Sequence, residues 1–277
     1  MTNVIYAVSV LGAMGAVFGL ALGFAAKVFA VEVDERQEAI QGILPGANCG
    51  GCGFAGCSAY AAAVVGGAKT NACAAGGSEV ASQIAEIMGV AAGEVERSVA
   101  MVRCSGYAGM AQKKFEYIGL TDCVSAMRLG GGQGPNECPH GCIGMGTCVK
   151  ACPFGAIYLD NGIAHVDHEK CVGCMTCASA CPKKIIVKVP YEADVTVACS
   201  SVQKGAALRS YCGIGCLGCK ICEKTCESDA IHVVDNLAII DYSKCISCGK
   251  CAPKCPRKLI RDARLNTENE EPADVAV

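Results

Sequence analysis

The spacing of the cysteines constrains this chain more than any other feature. Three runs read C-x2-C-x2-C-x3-C: Cys171, Cys174, Cys177, Cys181, then Cys245, Cys248, Cys251, Cys255, and between them Cys216, Cys219, Cys222, Cys226. That is the spacing of bacterial-type [4Fe–4S] ligands, where three thiolates of one run and the last thiolate of its neighbour hold each cube. Two variant sets bring the groups to five sets of four, drawn from 24 cysteines in 277 residues. Disulfides fit poorly, because C-x2-C pairs packed this tightly suit one metal centre better than bridges between distant loops. Zinc knuckles of paired C-x2-C would not explain the repeated third and fourth cysteines. Iron–sulfur cubes need reduced thiols, so the cysteine-bearing part is expected in a reducing compartment, facing the cytoplasm.

Formal net charge is −2, which carries no message about nucleic acid. Tryptophan is absent and aromatic residues are 5% of the chain. Much of the polypeptide is therefore expected to pack against inorganic cubes. Small cluster-binding domains lean on their metal for stability, so residues 136–260 should be largely unfolded without it.

Val4 to Ala26 is 23 residues without a charge, enough to cross a bilayer core of roughly 30 Å as a helix. A cleaved signal peptide is the rival reading, with Val28-Phe29-Ala30 as its cleavage site. It would need a basic residue before the apolar run, and Met1-Thr2-Asn3 supplies none. The expectation is an uncleaved anchor. Gly15, Gly19 and Gly23 recur four apart, a small-residue stripe against which another membrane helix could pack.

The soluble part begins with a polar linker over residues 27–45. Cys49, Cys52, Cys57 and Cys73 then form the first variant set. The glycines between the first three let backbone N–H groups bend around a cube, and an Ala-rich helix over Ser58–Val65 returns the chain to Cys73. Residues 78–103 read as helical, with Val80, Ile84, Ile87 and Met88 at helical spacing and Gly89 as a stop. The loop Leu129–Pro135 lacks the Lys-Ser/Thr ending of a phosphate cradle and marks a module boundary.

From 136 to 260 the chain repeats itself at an offset of 74, Cys171 falling on Cys245 and Cys152 on Cys226. Asn161-Gly162 between Ile157–Leu159 and Ile163–Val166 signals a hairpin, copied at Ile231–Val234 and Leu237–Ile240. Each half reads as a ferredoxin module holding two cubes. With the fourth cysteine crossing over, the second module divides into Cys216, Cys219, Cys222 with Cys255, and Cys245, Cys248, Cys251 with Cys226. In the first, Cys171, Cys174 and Cys177 pair with Cys152. The remaining set is Cys142, Cys148 and Cys181, where Met145 stands in place of Cys219 and Cys138 is expected as the substitute ligand. The alternative is a three-iron cluster on Cys142, Cys148 and Cys181.

Cys104, Cys123, Cys199 and Cys212 are left over. They read as relics of duplication or small buried hydrophobes, with a further cluster as the alternative. Lys254, Arg257, Lys258, Arg261 and Arg264 form a basic patch that could steer an acidic ferredoxin, or only a solvated helix face. The four histidines have no shared spacing and read as surface or packing residues.

The expected architecture is thus α+β. A single transmembrane helix (1–30) leads into a small helical [4Fe–4S] domain (31–77) and a helical connecting region (78–135). Two tandem bacterial-type 2[4Fe–4S] ferredoxin modules follow (136–189 and 190–262), then a disordered acidic tail (263–277). The apolar first helix, Cys49-Gly-Gly-Cys-Gly-Phe-Ala-Gly-Cys57 with Cys73, and Cys138-Pro-His-Gly-Cys-Ile-Gly-Met-Gly-Thr-Cys148 together resemble the B component of the Rnf ion-translocating ferredoxin:NAD oxidoreductase complex. The second ferredoxin module is similar to the clostridial or acetogenic type. The resemblance implies five [4Fe–4S] clusters, soluble ferredoxin as electron donor, and membrane and peripheral partner subunits. It also implies a single-pass place in the cell membrane with the clusters on the cytoplasmic side. The role implied is electron relay, coupled in other subunits to NAD reduction and Na+ or H+ export, with no bond chemistry in this chain. A polyferredoxin component of another membrane oxidoreductase, such as a hydrogenase, and a soluble or exported carrier are the alternatives.

Overall fold

The computed structural model describes residues 2–29 and 34–266; most of the expected tail, residues 267–277, lies outside the described residues. Helix α1 (Thr2–Val28) contains a span, Val8–Val28, with mean hydropathy 2.0 and no part buried against the rest of the protein. By length and composition it can cross a membrane. Leu20 and Phe24 are 76% and 72% exposed, a surface that water does not tolerate as a continuous face.

Three helices build the domain behind it. The expected linker contains α2 (Glu35–Ile43), started by Asp34, whose side chain accepts from the Arg36 N–H. A capping carboxylate with Glu35 and Glu38 in the first turn satisfies the free N–H groups and suits the helix dipole. Helix α3 (Cys57–Val65) follows the glycine loop, and α4 (Gly77–Met88) ends at Gly89 with φ +66°, the stop read from the sequence. Ile40, Tyr60, Val64 and Ile84 from these helices form one core. The first cluster domain therefore extends through α4, beyond the boundary expected at residue 77.

The region after α4 departs from the helical expectation. Ser98–Val102 is a strand, β1, and the chain then runs irregularly to a five-residue helix, α5 (Cys123–Met127). β1 is buried on both faces, as the run Val99-Ala-Met-Val102 allows, and a fully buried strand has no alternation to betray it.

The first module comprises α6 (Thr147–Ala151), β2 (Ile157–Asp160), β3 (Ile163–Val166), α7 (Thr176–Ala180) and β4 (Ile186–Pro190). β5 (Val195–Val197) and α8 (Gly205–Tyr211) open the second, followed by α9 (Ile221–Thr225), β6 (Ile231–Val234), β7 (Leu237–Ile240), α10 (Cys251–Lys254) and β8 (Ile260–Asp262). A last turn, α11 (Ala263–Asn266), occupies the start of the expected tail. The hairpins form as expected, with Ile157 opposite Val166 and Ile231 opposite Ile240. Each module is closed by a second antiparallel ladder between the strand before it and its last strand: β1 with β4, β5 with β8.

Thiols occupy the core of both modules. Cys148, Cys171 and Cys177 pack with Val99, Ile157 and Val189 in the first. Cys199, Cys216 and Cys222 pack with Val195, Ile231 and Leu259 in the second. Large apolar side chains are few and strands are short, so metal held by these thiols is expected to supply much of the stability. A strong iron chelator should therefore abolish the near-UV circular dichroism of the two modules and make residues 98–262 sensitive to protease. A chelated chain retaining native protease resistance would show that the apolar cores suffice.

Candidate iron–sulfur centres

In the first domain, Cys49 and Cys52 lie on the glycine loop and Cys57 opens α3. Its N–H donates to Asn48 Oδ1 at 2.8 Å, which fixes the turn into the helix. Cys73 is returned by a loop pinned on Tyr60, whose hydroxyl donates to the Lys69 carbonyl (2.9 Å) and accepts from the Ala72 N–H (3.2 Å). Burial raises the Cys73 pKa, and charge on Cys52, Cys49 and Cys57 raises it further, which places the four thiols together.

This domain docks directly on the first module. Thr176 Oγ1 at the head of α7 donates to the Cys49 carbonyl at 3.0 Å. A Cβ on Gly51 would stand 2.9 Å from both Cα and the carbonyl oxygen of Cys174. Glycine at 51 thus lets the backbone of one cysteine loop touch the next. On the far side of the same loop, Gly173 (φ +67°) leaves no room for a side chain against the Ser98 carbonyl of β1. The Ala100 N–H of β1 points at Cys171 Sγ, 3.3 Å away.

Within the modules, the third cysteine of each run sits on a short helix and the fourth follows it: Cys152, Cys181, Cys226 and Cys255 all turn extended, with ψ from 109° to 114°. That turn sends the fourth thiol toward the other run. Cys255 lies beside Cys216, Cys219 and Cys222, and Cys226 beside Cys245, Cys248 and Cys251. Cys181 lies by Cys148, and Cys152 shares a core with Cys171 and Cys177. Backbone N–H groups of Ala156 and Ala230 point at Cys152 and Cys226 Sγ at 3.4 and 3.3 Å.

Cys138 lines one cavity with Cys142, whereas Cys142, Cys148 and Cys181 line a second one together. The fourth thiol beside them is Cys123, on α5, lining the same cavity. Its N–H donates to Thr147 Oγ1 at 2.7 Å, and that hydroxyl donates to Asp122 at 2.8 Å. The inserted segment before the module thus supplies what Met145 removed. Sequence spacing could not show this, because the thiol arrives from 22 residues upstream of Met145 on a separate turn. Cys138 instead faces Cys104, Cys199 and Cys212.

Burial pushes Cys177 and Cys142 up to about 12, and Cys138, Cys148, Cys222 and Cys251 up to about 11. In the metal-free chain these thiols hold their protons, so iron must displace them and loading is favoured as pH rises. Among the described residues, no three His, Cys, Asp or Glu side chains converge closely enough for a single ion. Zinc bound at about 2.3 Å would need sulfurs within about 4 Å of one another.

The basic patch is largely engaged within the chain. Arg257 donates to the Cys212 carbonyl, Arg261 to Ser105 Oγ at 3.1 Å, and Arg264 to Asp262 at 2.9 Å. Lys254 and Lys258 remain exposed.

Residues 44–74 match the family model for an Fe-S cluster, and residues 141–185 and 215–260 each match a 4Fe-4S dicluster domain. The chain is 45% identical over 285 residues to the B component of the proton-translocating ferredoxin:NAD(+) oxidoreductase complex of Clostridium ljungdahlii, covering 99% of this chain and 100% of that one. It is 45% identical over 262 residues to the Na(+)-translocating counterpart of Acetobacterium woodii, covering 94% and 78%. To the B component of the ion-translocating oxidoreductase complex of Methanosarcina acetivorans it is 41% identical over 258 residues, covering 92% and 97%.

The Gly51–Cys174 contact makes a specific demand. Gly51→Val should force the two cysteine loops apart while leaving every thiol in place. Iron content should stay at the parental value, and electron transfer between the first domain and the first module should slow at least tenfold by rapid-mixing absorbance. Unchanged transfer would show that electrons do not pass at this contact.

Proposed function

Because this chain belongs to the family of B components of ion-translocating ferredoxin:NAD(+) oxidoreductase complexes, we propose that it accepts electrons from reduced soluble ferredoxin and relays them to membrane partners. [4Fe–4S] clusters, when bound, take up and release single electrons with little rearrangement. Five thiol sets would hold them: Cys49, Cys52, Cys57 and Cys73; Cys171, Cys174, Cys177 and Cys152; Cys142, Cys148, Cys181 and Cys123; Cys216, Cys219, Cys222 and Cys255; Cys245, Cys248, Cys251 and Cys226. The observation that carries the reading is a direct contact between the cysteine loops of two successive units. The first domain follows α1 in the chain, and its Cys49 loop touches the Cys174 loop of the first module.

The far end suits the donor. Among the 24 cysteines, Cys219 and Cys248 are the exposed ones, and both lie in the second module. Ile246, 72% exposed, stands two residues from Cys248, and Lys254 and Lys258 are exposed nearby in sequence. An apolar contact point with positive charge about it fits an acidic electron carrier. At the other end, α1 would hold the cluster domains against the cytoplasmic face of the membrane. It bears no carboxylate and no basic side chain before Lys27, so Na+ or H+ movement falls to other subunits.

Two measurements test this. Lys254→Glu with Lys258→Glu should leave iron content unchanged and slow reduction by ferredoxin several-fold at low salt. The difference should shrink at high salt, since such charges are screened within roughly 10 Å at 0.1 M. Equal rates at low salt would move the docking site elsewhere. Removing residues 1–29 should release the chain from carbonate-washed membranes with its iron intact. Retention on the membrane would mean that partner contacts, not α1, hold it there.

A further inference from the structure

Five cysteines lie outside the residues matched as cluster domains: Cys104, Cys123, Cys138, Cys199 and Cys212. Cys123 completes the set of Cys142. The other four line one cavity where the two modules join, with Cys142 at its edge as the fifth cysteine of the lining.

Their placement follows the internal repeat. Cys138 and Cys212 are 74 residues apart, the offset of the modules. Cys104 stands two residues beyond the end of β1, and Cys199 two beyond the end of β5, the equivalent strand. The similarity is legible in Val102-Arg-Cys104-Ser and Val197-Ala-Cys199-Ser. The hydrogen bonds repeat too. The Cys142 N–H donates to Cys104 Sγ and the Cys216 N–H to Cys199 Sγ, both at 3.4 Å, and residues 142 and 216 are again 74 apart. Each module thus contributes two thiols in the same way to one pseudo-twofold site.

One cation, Arg103, lines the cavity, and Arg257 and Arg261 reach lining residues from behind it. Arg103 Nε donates to the Cys199 carbonyl at 3.1 Å, Arg257 binds the Cys212 carbonyl, and Arg261 binds Ser105 beside Cys104. One buried donor, Arg257 Nε, has no acceptor within hydrogen-bond distance among the described residues. A buried donor without a partner is destabilising, and a thiolate or sulfide acceptor would relieve it.

We propose that Cys104, Cys138, Cys199 and Cys212 hold a sixth [4Fe–4S] cluster, which joins the two ferredoxin modules. The proposal rests on the relay reading and supplies its missing middle: the site abuts the Cys142 set on one side and the Cys216 set on the other. Loading is ligand exchange without redox change. A preformed cube leaves an iron–sulfur carrier, the four thiols bind its four irons, and four protons depart.

Native mass spectrometry of the full chain, purified anaerobically, counts cubes directly. Six cube increments, with about 24 iron atoms by chemical analysis, are expected where the five other sets alone would give about 20. Cys199→Ser, Cys138→Ser and their double variant should each lose one increment, the double variant no more than the singles. Loss of a cube from Cys138→Ser but not from Cys199→Ser would return Cys138 to the Cys142 set and overturn the site. Five increments in the parental chain would overturn it without any variant. Five increments with full reduction by ferredoxin would remove the sixth site and leave the relay standing. Six increments without reduction by ferredoxin would do the reverse.

Discussion

Buried thiols replace the apolar side chains that would fill modules of this size. Each module is little more than a hairpin, two or three short helices and one closing ladder. None of these elements has the length to be stable alone, and the residues at their junctions are cysteines. The same substitution sets the local backbone. Fourth cysteines turn extended after every short helix, and glycines stand where one cysteine loop must touch a neighbouring segment. Fold and cofactor sites are therefore one set of interactions, and neither can be altered without the other.

The path through the protein depends on contacts between units more than on the units themselves. A ferredoxin module is a common part. What distinguishes this chain is the Cys49 loop seated on the Cys174 loop, and the joint where Cys104 and Cys138 of one module face Cys199 and Cys212 of the other. At the first, backbone atoms approach across Gly51; at the second, arginine side chains span the joint. Arg257 and Arg261, which the sequence groups with the exposed lysines, serve the second joint from behind together with Arg103, through carbonyl and hydroxyl acceptors.

Much of this is legible in the sequence, and the failures have a common cause. Hairpins at Asn161-Gly162 and its copy and the stop at Gly89 are local or periodic, and periodic signals survive in one dimension. β1 escapes a sequence reading because a strand buried on both faces shows no alternation. Cys138 falls to the nearest set when proximity along the chain is the only measure, and the insertion that carries Cys123 erases that measure. The equivalence of Cys104 with Cys199 hides for the same reason: the first module holds its strand and its cysteine runs much farther apart than the second. Aligning the strands, instead of the cysteine runs, exposes it.

The closing ladders have a consequence for how the chain is made. β1 waits for β4, and β5 for β8, so a ribosome must finish each module before that module can close. The joint between them takes Cys104 from before the first module and Cys212 from the opening of the second, spanning the whole of the first in synthesis. Its four thiols therefore gather late, when both neighbours have begun to fold. A nascent chain that stalls early exposes thiols that nothing yet covers, and oxidation in that interval would tie together sulfurs that the finished protein keeps apart.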